Sequence, residues 1–123
     1  MELLKKAGIF AVLFAVVLFW GTRDGGVCAG DYRDINAIVA FTGTQFEITN
    51  NTPYGWRNVE LTVNKKYILR INLMKAKETY TVGAMQFTKK DGSRFNPFTH
   101  APLTFQIVCD FAGGRGFYAC RWK

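Results

Sequence analysis

Residues 46–63, FEITNNTPYGWRNVELTV, decide how this chain is read. Phe46 and Ile48 alternate with Glu47 and Thr49. Asn50, Asn51, Pro53 and Gly55 then break the run, and Val59, Leu61 and Val63 resume the two-residue period. Alternation of this kind predicts strands with one buried face, and the Asn/Pro/Gly cluster predicts a sharp connection between them. Trp56, at the start of the second strand, is the large side chain expected to plug the core.

The next strand registers against this one by arithmetic. With Asn64, Lys65 and Lys66 as a three-residue loop, Val63 faces Tyr67, Leu61 faces Leu69 and Val59 faces Ile71. Glu60 then faces Arg70 on the outer side, a complementary pair worth a few tenths to about 1 kcal/mol. A two-residue loop would set Leu61 against Arg70, which is worse on both faces. The three-residue loop asks for a left-handed residue, and Lys66 is a poor substitute for Gly there.

Outward from this hairpin the same pattern continues. Ala37 to Phe41 reads as a strand before the Gly43 turn. After the basic turn Lys75 to Lys77, Tyr80, Val82 and Ala84 alternate, with an irregularity expected at Gly83. Asp91-Gly92 is the strongest short hairpin signal, flanked by Phe87 and Phe95. Asn96, Pro97 and Pro102 mark a longer loop before a strand from Leu103 to Phe111. Centring the last turn on Gly114 and Arg115 sets Cys109 opposite Cys120, within disulfide range, and leaves Cys28 unpaired. A Cys109–Cys120 bridge is therefore expected, ahead of two buried free thiols or a metal site. About eight short strands with no helical period after Trp20 predict an all-β sandwich or small barrel, and the one apolar and one polar face of several strands favours a two-sheet Greek-key β-sandwich.

The chain has 123 residues, a formal charge of +7, eleven Phe, five Tyr and three Trp. That length allows one domain, and nearly half the residues are apolar, enough for a core without metal support. The positive charge attracts anionic lipid, acidic glycan, acidic protein or nucleic acid without choosing among them.

Residues 7–22, AGIFAVLFAVVLFWGT, carry no charge and follow Lys5 and Lys6. As a helix they rise about 24 Å, slightly less than a hydrocarbon core. A single-pass transmembrane helix using Ala7, Phe10, Leu13, Phe14, Val17, Phe19 and Trp20 is favoured over a cleaved signal. The loose cleavage pattern at Val27-Cys28-Ala29 lies beyond Arg23 and Asp24. A lipoprotein site is disfavoured by Val27, and a buried core helix by the lack of a polar face. The expected layout is an anchor over residues 1–22, a tether over 23–34 and an extracytoplasmic domain over 35–123. Lys5 and Lys6 place the N-terminus in the cytoplasm and the domain outside.

As a set, residues 46–52 (FEITNNT), 56–64 (WRNVELTVN), 67–70 (YILR), 75–82 (KAKETYTV), 91–97 (DGSRFNP) and 107–110 (IVCD) resemble immunoglobulin-like FxLYD-type domains. The likeness extends over residues 35–123 and is closest to small bacterial proteins carrying such a domain after one membrane helix. It implies an exported, membrane-tethered immunoglobulin-like sandwich, and neither a reaction nor a ligand.

No catalytic pair emerges from the residues. His100 is the sole histidine and sits in a predicted loop, no G-x-S-x-G elbow exists, and Glu47 and Glu60 are read as outward on neighbouring strands. The Gly113-Gly114-Arg115-Gly116 stretch is explained by a hairpin turn. The sequon at Asn50-Asn51-Thr52 is a short motif with a high chance frequency. No cofactor and no metal is implied, and an enzyme is not expected. Lys65, Lys66, Lys75, Lys77, Lys89, Lys90 and Arg94 fall in predicted turns and form a candidate basic rim. Tyr54, Trp56, Phe98 and Trp122 are candidate aromatic contacts, with core packing favoured for Trp56. The expectation is a non-catalytic accessory or interaction subunit that binds membrane lipid and neighbouring membrane protein subunits. The alternative is a tethered module binding glycan or cell-envelope polymer. Export argues against nucleic acid.

Overall fold

The hairpin that organises the sequence also organises the structure. A computed structural model of the chain describes residues 26–33 and 35–122. Strand β5 (Trp56–Val63) pairs with β6 (Tyr67–Met74) in the register Val63↔Tyr67, Leu61↔Leu69, Val59↔Ile71. Glu60 lies opposite Arg70, and the two form a 2.8 Å ion pair. The expected left-handed residue falls elsewhere in the loop. Asn64 and Lys65, not Lys66, have positive φ, at 52° and 65°. Asn tolerates that conformation through local hydrogen bonding. Asn64 uses its side chain to hold the neighbouring loop, accepting from Leu103 N–H at 2.7 Å and donating to Ala101 O at 3.1 Å.

The remaining strands are β1 (Gly26–Val27), β2 (Ala29–Arg33), β3 (Ala37–Phe41), β4 (Gln45–Asn50), β7 (Thr79–Gly83), β8 (Thr104–Phe111) and β9 (Gly114–Arg121). They form two antiparallel sheets, ordered β2-β9-β8-β5-β6 and β1-β3-β4-β7. Both sheets contribute to one core that includes Val39, Phe46 and Ile48 from one and Trp56, Leu61 and Ile107 from the other. The result is a sandwich-like all-β domain. Trp56 is fully buried, as its position demands. Phe46 is the hub of the aromatic cluster, with Phe41, Phe87, Phe95, Phe105 and Trp122 at ring-centroid distances of 4.9 to 6.4 Å from it or from each other.

Two stretches depart from the strand-by-strand expectation. Residues 23–34 were expected as tether, yet Gly26–Val27 and Ala29–Arg33 are strands, one in each sheet. After Gly83 the chain makes a 3-10 turn, Ala84–Gln86, where the irregularity was expected. Beyond it, Phe87 and Phe95 close a short hairpin around Asp91-Gly92, with Gly92 left-handed at φ 87°.

The last hairpin corrects the disulfide. Its two-residue turn is Ala112-Gly113, so Cys109 faces Gly116 and Cys120 faces Phe105. The bridge joins Cys28 to Cys120, with a Cα–Cα distance of 5.4 Å, and Cys109 is a buried free thiol. The turn sits two residues earlier than expected. Such a shift keeps every side chain on its face, so the alternation of apolar residues cannot tell the two registers apart. The glycines answer to packing as well as to the turn: a Cβ on Gly116 would lie 2.6 Å from Ile35 Cγ2, and one on Gly113 would lie 2.7 Å from the Phe111 ring.

Cys28 stands where the chain crosses from β1 to β2, that is, from one sheet to the other. Its N–H donates to Val39 O at 2.8 Å, while its sulfur joins the final strand. One residue thus fastens the incoming chain to both sheets. The expected anchor residues Ala7, Phe10, Leu13, Phe14, Val17, Phe19 and Trp20 lie outside the described residues. Among the described residues, no helix is long and apolar enough to cross a membrane.

Candidate functional site

The domain has two chemically different ends. At one, Gly26 pairs with Phe41 and its carbonyl accepts the Trp122 indole N–H at 3.0 Å. The Trp122 backbone N–H in turn donates to Leu103 O, and Asn64 binds Ala101 and Leu103. The described chain therefore enters beside its own C-terminal strand, at the end that carries the 64–66 and 89–94 loops. We call this the near end.

Lys65, Lys66, Lys89, Lys90, Asp91 and Ile68 line a shallow groove of about 400 Å³ there. Two backbone hydrogen bonds between Ile68 and Thr88 bring the loops together. Lys89 is positioned by the Tyr67 ring, with Nζ 5.6 Å from its centroid. Asp91 is the single carboxylate in the groove. Hydrogen bonds from the Ser93 hydroxyl and N–H hold its carboxyl below the usual carboxylate range, so it stays ionised and offsets one of the four lysines. Arg94 lies in the same hairpin and donates to Met85 O at 3.0 Å.

The near end also exposes large apolar side chains. Phe98 is 78% exposed and Leu103 60%, and Met85 is exposed as well. Phe98 stands in a loop tied by Asn96, whose carboxamide oxygen accepts the Phe98 N–H at 2.9 Å. Residues 97–102 face Phe41 to Thr44 across a second groove of about 680 Å³.

The candidate rim is thus divided. Lys65, Lys66, Lys89, Lys90 and Arg94 gather at the near end. Lys75 and Lys77 come just after Met74, which pairs with Trp56 at the opposite end of the same sheet. There the cations have acidic or polar neighbours. Arg115 pairs with Asp110 at 3.0 Å, Lys77 lies 3.5 Å from the Asn51 side-chain oxygen, and Glu78 shares the turn.

The aromatic candidates divide too. Trp56 and Trp122 are buried, which withdraws both as contact residues; Trp122 is held by the rings of Phe41, Phe46 and Phe105. Tyr54 is half-buried and stacks on Phe111 at 4.8 Å, beside a far-end groove that also includes Arg57, Leu73 and Asp110. Phe98 alone of the four is openly exposed.

His100 is an exposed loop residue whose Nδ1 lies 2.8 Å from Thr99 Oγ1. Glu47 and Glu60 lie in different sheets, not on neighbouring strands, and so do not form a pair. Burial, with the charge of Asp110 second, pushes the Cys109 thiol up to about 11. A thiol in that state is a poor nucleophile at neutral pH. Among the described residues, no group of three or more His, Cys, Asp or Glu is arranged to hold a metal ion.

The sequon asparagine is structural. Asn50 is fully buried; its side chain donates to Tyr54 O at 2.9 Å and Met74 O at 3.1 Å and accepts from Thr52. Both amide hydrogens are used, so no glycan can be borne there in the folded domain. The sequence points to the turn at Asn50 without indicating this network. Leu103 and Met85 were likewise missed, because single exposed apolar residues carry no periodic signal. Comparison with protein-family models, curated proteins and solved structures finds no match to this chain.

Proposed function

We propose that this chain is a non-catalytic, single-pass membrane accessory subunit whose exported domain binds neighbouring proteins at the membrane. The observation that carries the reading is the Cys28–Cys120 bridge, which lies at the end where the described chain begins. Structural disulfides persist in oxidising compartments, which agrees with the uncharged segment 7–22 acting as an anchor that exports the domain behind it.

The immunoglobulin-like reading has support in strand order. Assigning the letters A, B, C, C′, E, F and G to β3 through β9 places A-B-E in one sheet and G-F-C-C′ in the other. Those are the neighbours of an immunoglobulin-like sandwich lacking strand D, and buried Trp56 opens strand C, where such domains keep their core tryptophan. β1 and β2 then extend the two edges at A and G. The non-catalytic reading draws on the exposed loop position of His100 and the protonated, buried Cys109.

The test is crosslinking in the native membrane followed by sizing in mild detergent. A particle larger than one chain, with another membrane protein captured, is expected; a freely monomeric particle contradicts the reading. The far-end groove favours a second reading, a glycan or envelope-polymer module. Tyr54 and Phe111 offer a ring stack beside the polar side chains of Arg57 and Asp110. Under that reading Tyr54→Ala abolishes retention on isolated wall polymer while the fold survives.

A further inference from the structure

We infer that the near end of the domain is a docking surface for an anionic bilayer, with Lys65, Lys66, Lys89 and Lys90 contacting lipid headgroups and Phe98 and Leu103 entering the interface. The inference rests on the membrane-anchored reading above and adds to it the face, the residues and the lipid chemistry.

Three independent observations converge on this end. The first is charge. The four lysines and Arg94 stand against one carboxylate, Asp91, whereas at the far end Arg115 is ion-paired with Asp110 and Glu78 shares the turn of Lys75 and Lys77. A juxtamembrane basic cluster is attracted to anionic lipid with about 1 kcal/mol per charge, which corresponds to roughly fivefold in partition for each lysine. The second is apolar surface. Among the described residues, Phe98 and Leu103 are the most exposed large hydrophobic residues apart from Val27; Asn64 ties Leu103 and Ala101 to the 64–66 loop, and Phe98 stands in the same 97–102 segment as Ala101. An aromatic ring beside lysines suits the headgroup region, where amphipathic and aromatic side chains collect. The third is the path of the chain. Gly26 lies at this end, fixed by Trp122 and, two residues later, by the Cys28–Cys120 bridge. Between the uncharged segment ending at Thr22 and Gly26 only three residues intervene, Arg23 to Gly25. Even fully extended they span roughly 10 Å. An anchor ending at Thr22 therefore leaves no room to present the far end to its own membrane.

The test uses the full chain in nanodiscs of neutral lipid, or of the same lipid with phosphatidylglycerol added. Lysines are labelled briefly with an amine-reactive ester and read by mass spectrometry. Lys75 and Lys77 serve as controls within the same molecule. Lys65, Lys66, Lys89 and Lys90 are expected to label about threefold or more slowly on the anionic discs, with the difference lost at high salt. Lys75 and Lys77 should label equally on both. A double variant, Lys66→Glu with Lys90→Glu, should remove the protection of Lys65 and Lys89, and Phe98→Ser should weaken it; all three positions are at the surface, so the fold is untouched.

Equal labelling on the two lipids, with the chain retained in neutral discs, overturns the docking surface and leaves the anchor standing. A chain that is not retained in neutral discs overturns the anchor instead. In that event the same labelling with anionic vesicles decides the docking by itself: near-end protection upholds it, and none overturns it. Protection by soluble polyglutamate but not by anionic discs also overturns it, in favour of an acidic protein partner.

Discussion

At the scale of single residues, Cys28 and Cys120 bear most on stability. Their bridge closes a loop across 92 positions and ties the incoming chain to the last strand. Cys28→Ser is expected to destabilise the domain by about 2–5 kcal/mol, measured by denaturant unfolding, whereas Cys109→Ser should leave the bridge intact. Cys109 makes its own prediction. Its thiol is raised from 9.0 to about 11, chiefly by burial. Between those values the unfolded chain has released the proton that the folded chain still holds, so stability falls as pH rises through this window. Cys109→Ala should flatten the difference between unfolding curves at about pH 8 and about pH 10; an identical slope in the variant contradicts the assignment. Asn50 is the buried polar counterpart. Asn50→Ala removes the side-chain donor to Met74 O and the acceptor of the Thr52 N–H, while Tyr54 O keeps the Thr52 hydroxyl, and should cost about 1–3 kcal/mol per group left unsatisfied.

At the scale of elements, the β5–β6 hairpin was legible because both of its faces are constrained. Three apolar pairs inside and Glu60–Arg70 outside admit one register, and the structure adopts it. The β8–β9 hairpin was not, because its shift by two residues preserves the buried face and its run of glycines permits a turn at several points. The pairing of cysteines depended on that register, so the error in one became an error in the other. Cys28 carried no signal, since the strands around it are short and lack alternation. For the candidate site, the membership of the near-end loops was legible from turn chemistry, but the division of the lysines between two ends was not, because it depends on the order of strands in the sheets. Turn strain offers a further check. Lys77 holds φ at 65° while its N–H donates to Asn50 O at 2.8 Å. Lys77→Gly removes the left-handed penalty of a side chain and should stabilise the domain by a few tenths to about 1 kcal/mol in thermal or denaturant unfolding. A loss of stability would show that the Lys77 side chain contributes more than its backbone conformation costs.

At the scale of the whole molecule, the sandwich-like domain, the bridge and the polarity of its ends describe one arrangement. The two sheets share a core in which Phe46 joins rings from both, and Phe46→Ala should cost about 3–5 kcal/mol by leaving a cavity at that junction. The described chain enters at the end with the larger excess of positive charge and exposed Phe98, while the opposite end sets Asp110 and Glu78 among its cations and carries the Tyr54–Phe111 stack. In the proposed orientation the far end is left to meet protein neighbours. Anchor, export and docking all require the domain to fold where thiols are oxidised. The most direct measurement is differential alkylation of intact cells producing the native chain, followed by non-reducing peptide mapping. A peptide linking Cys28 to Cys120, with Cys109 alkylated only after unfolding, is the predicted result. Three reduced cysteines, or a Cys109–Cys120 link, would contradict it.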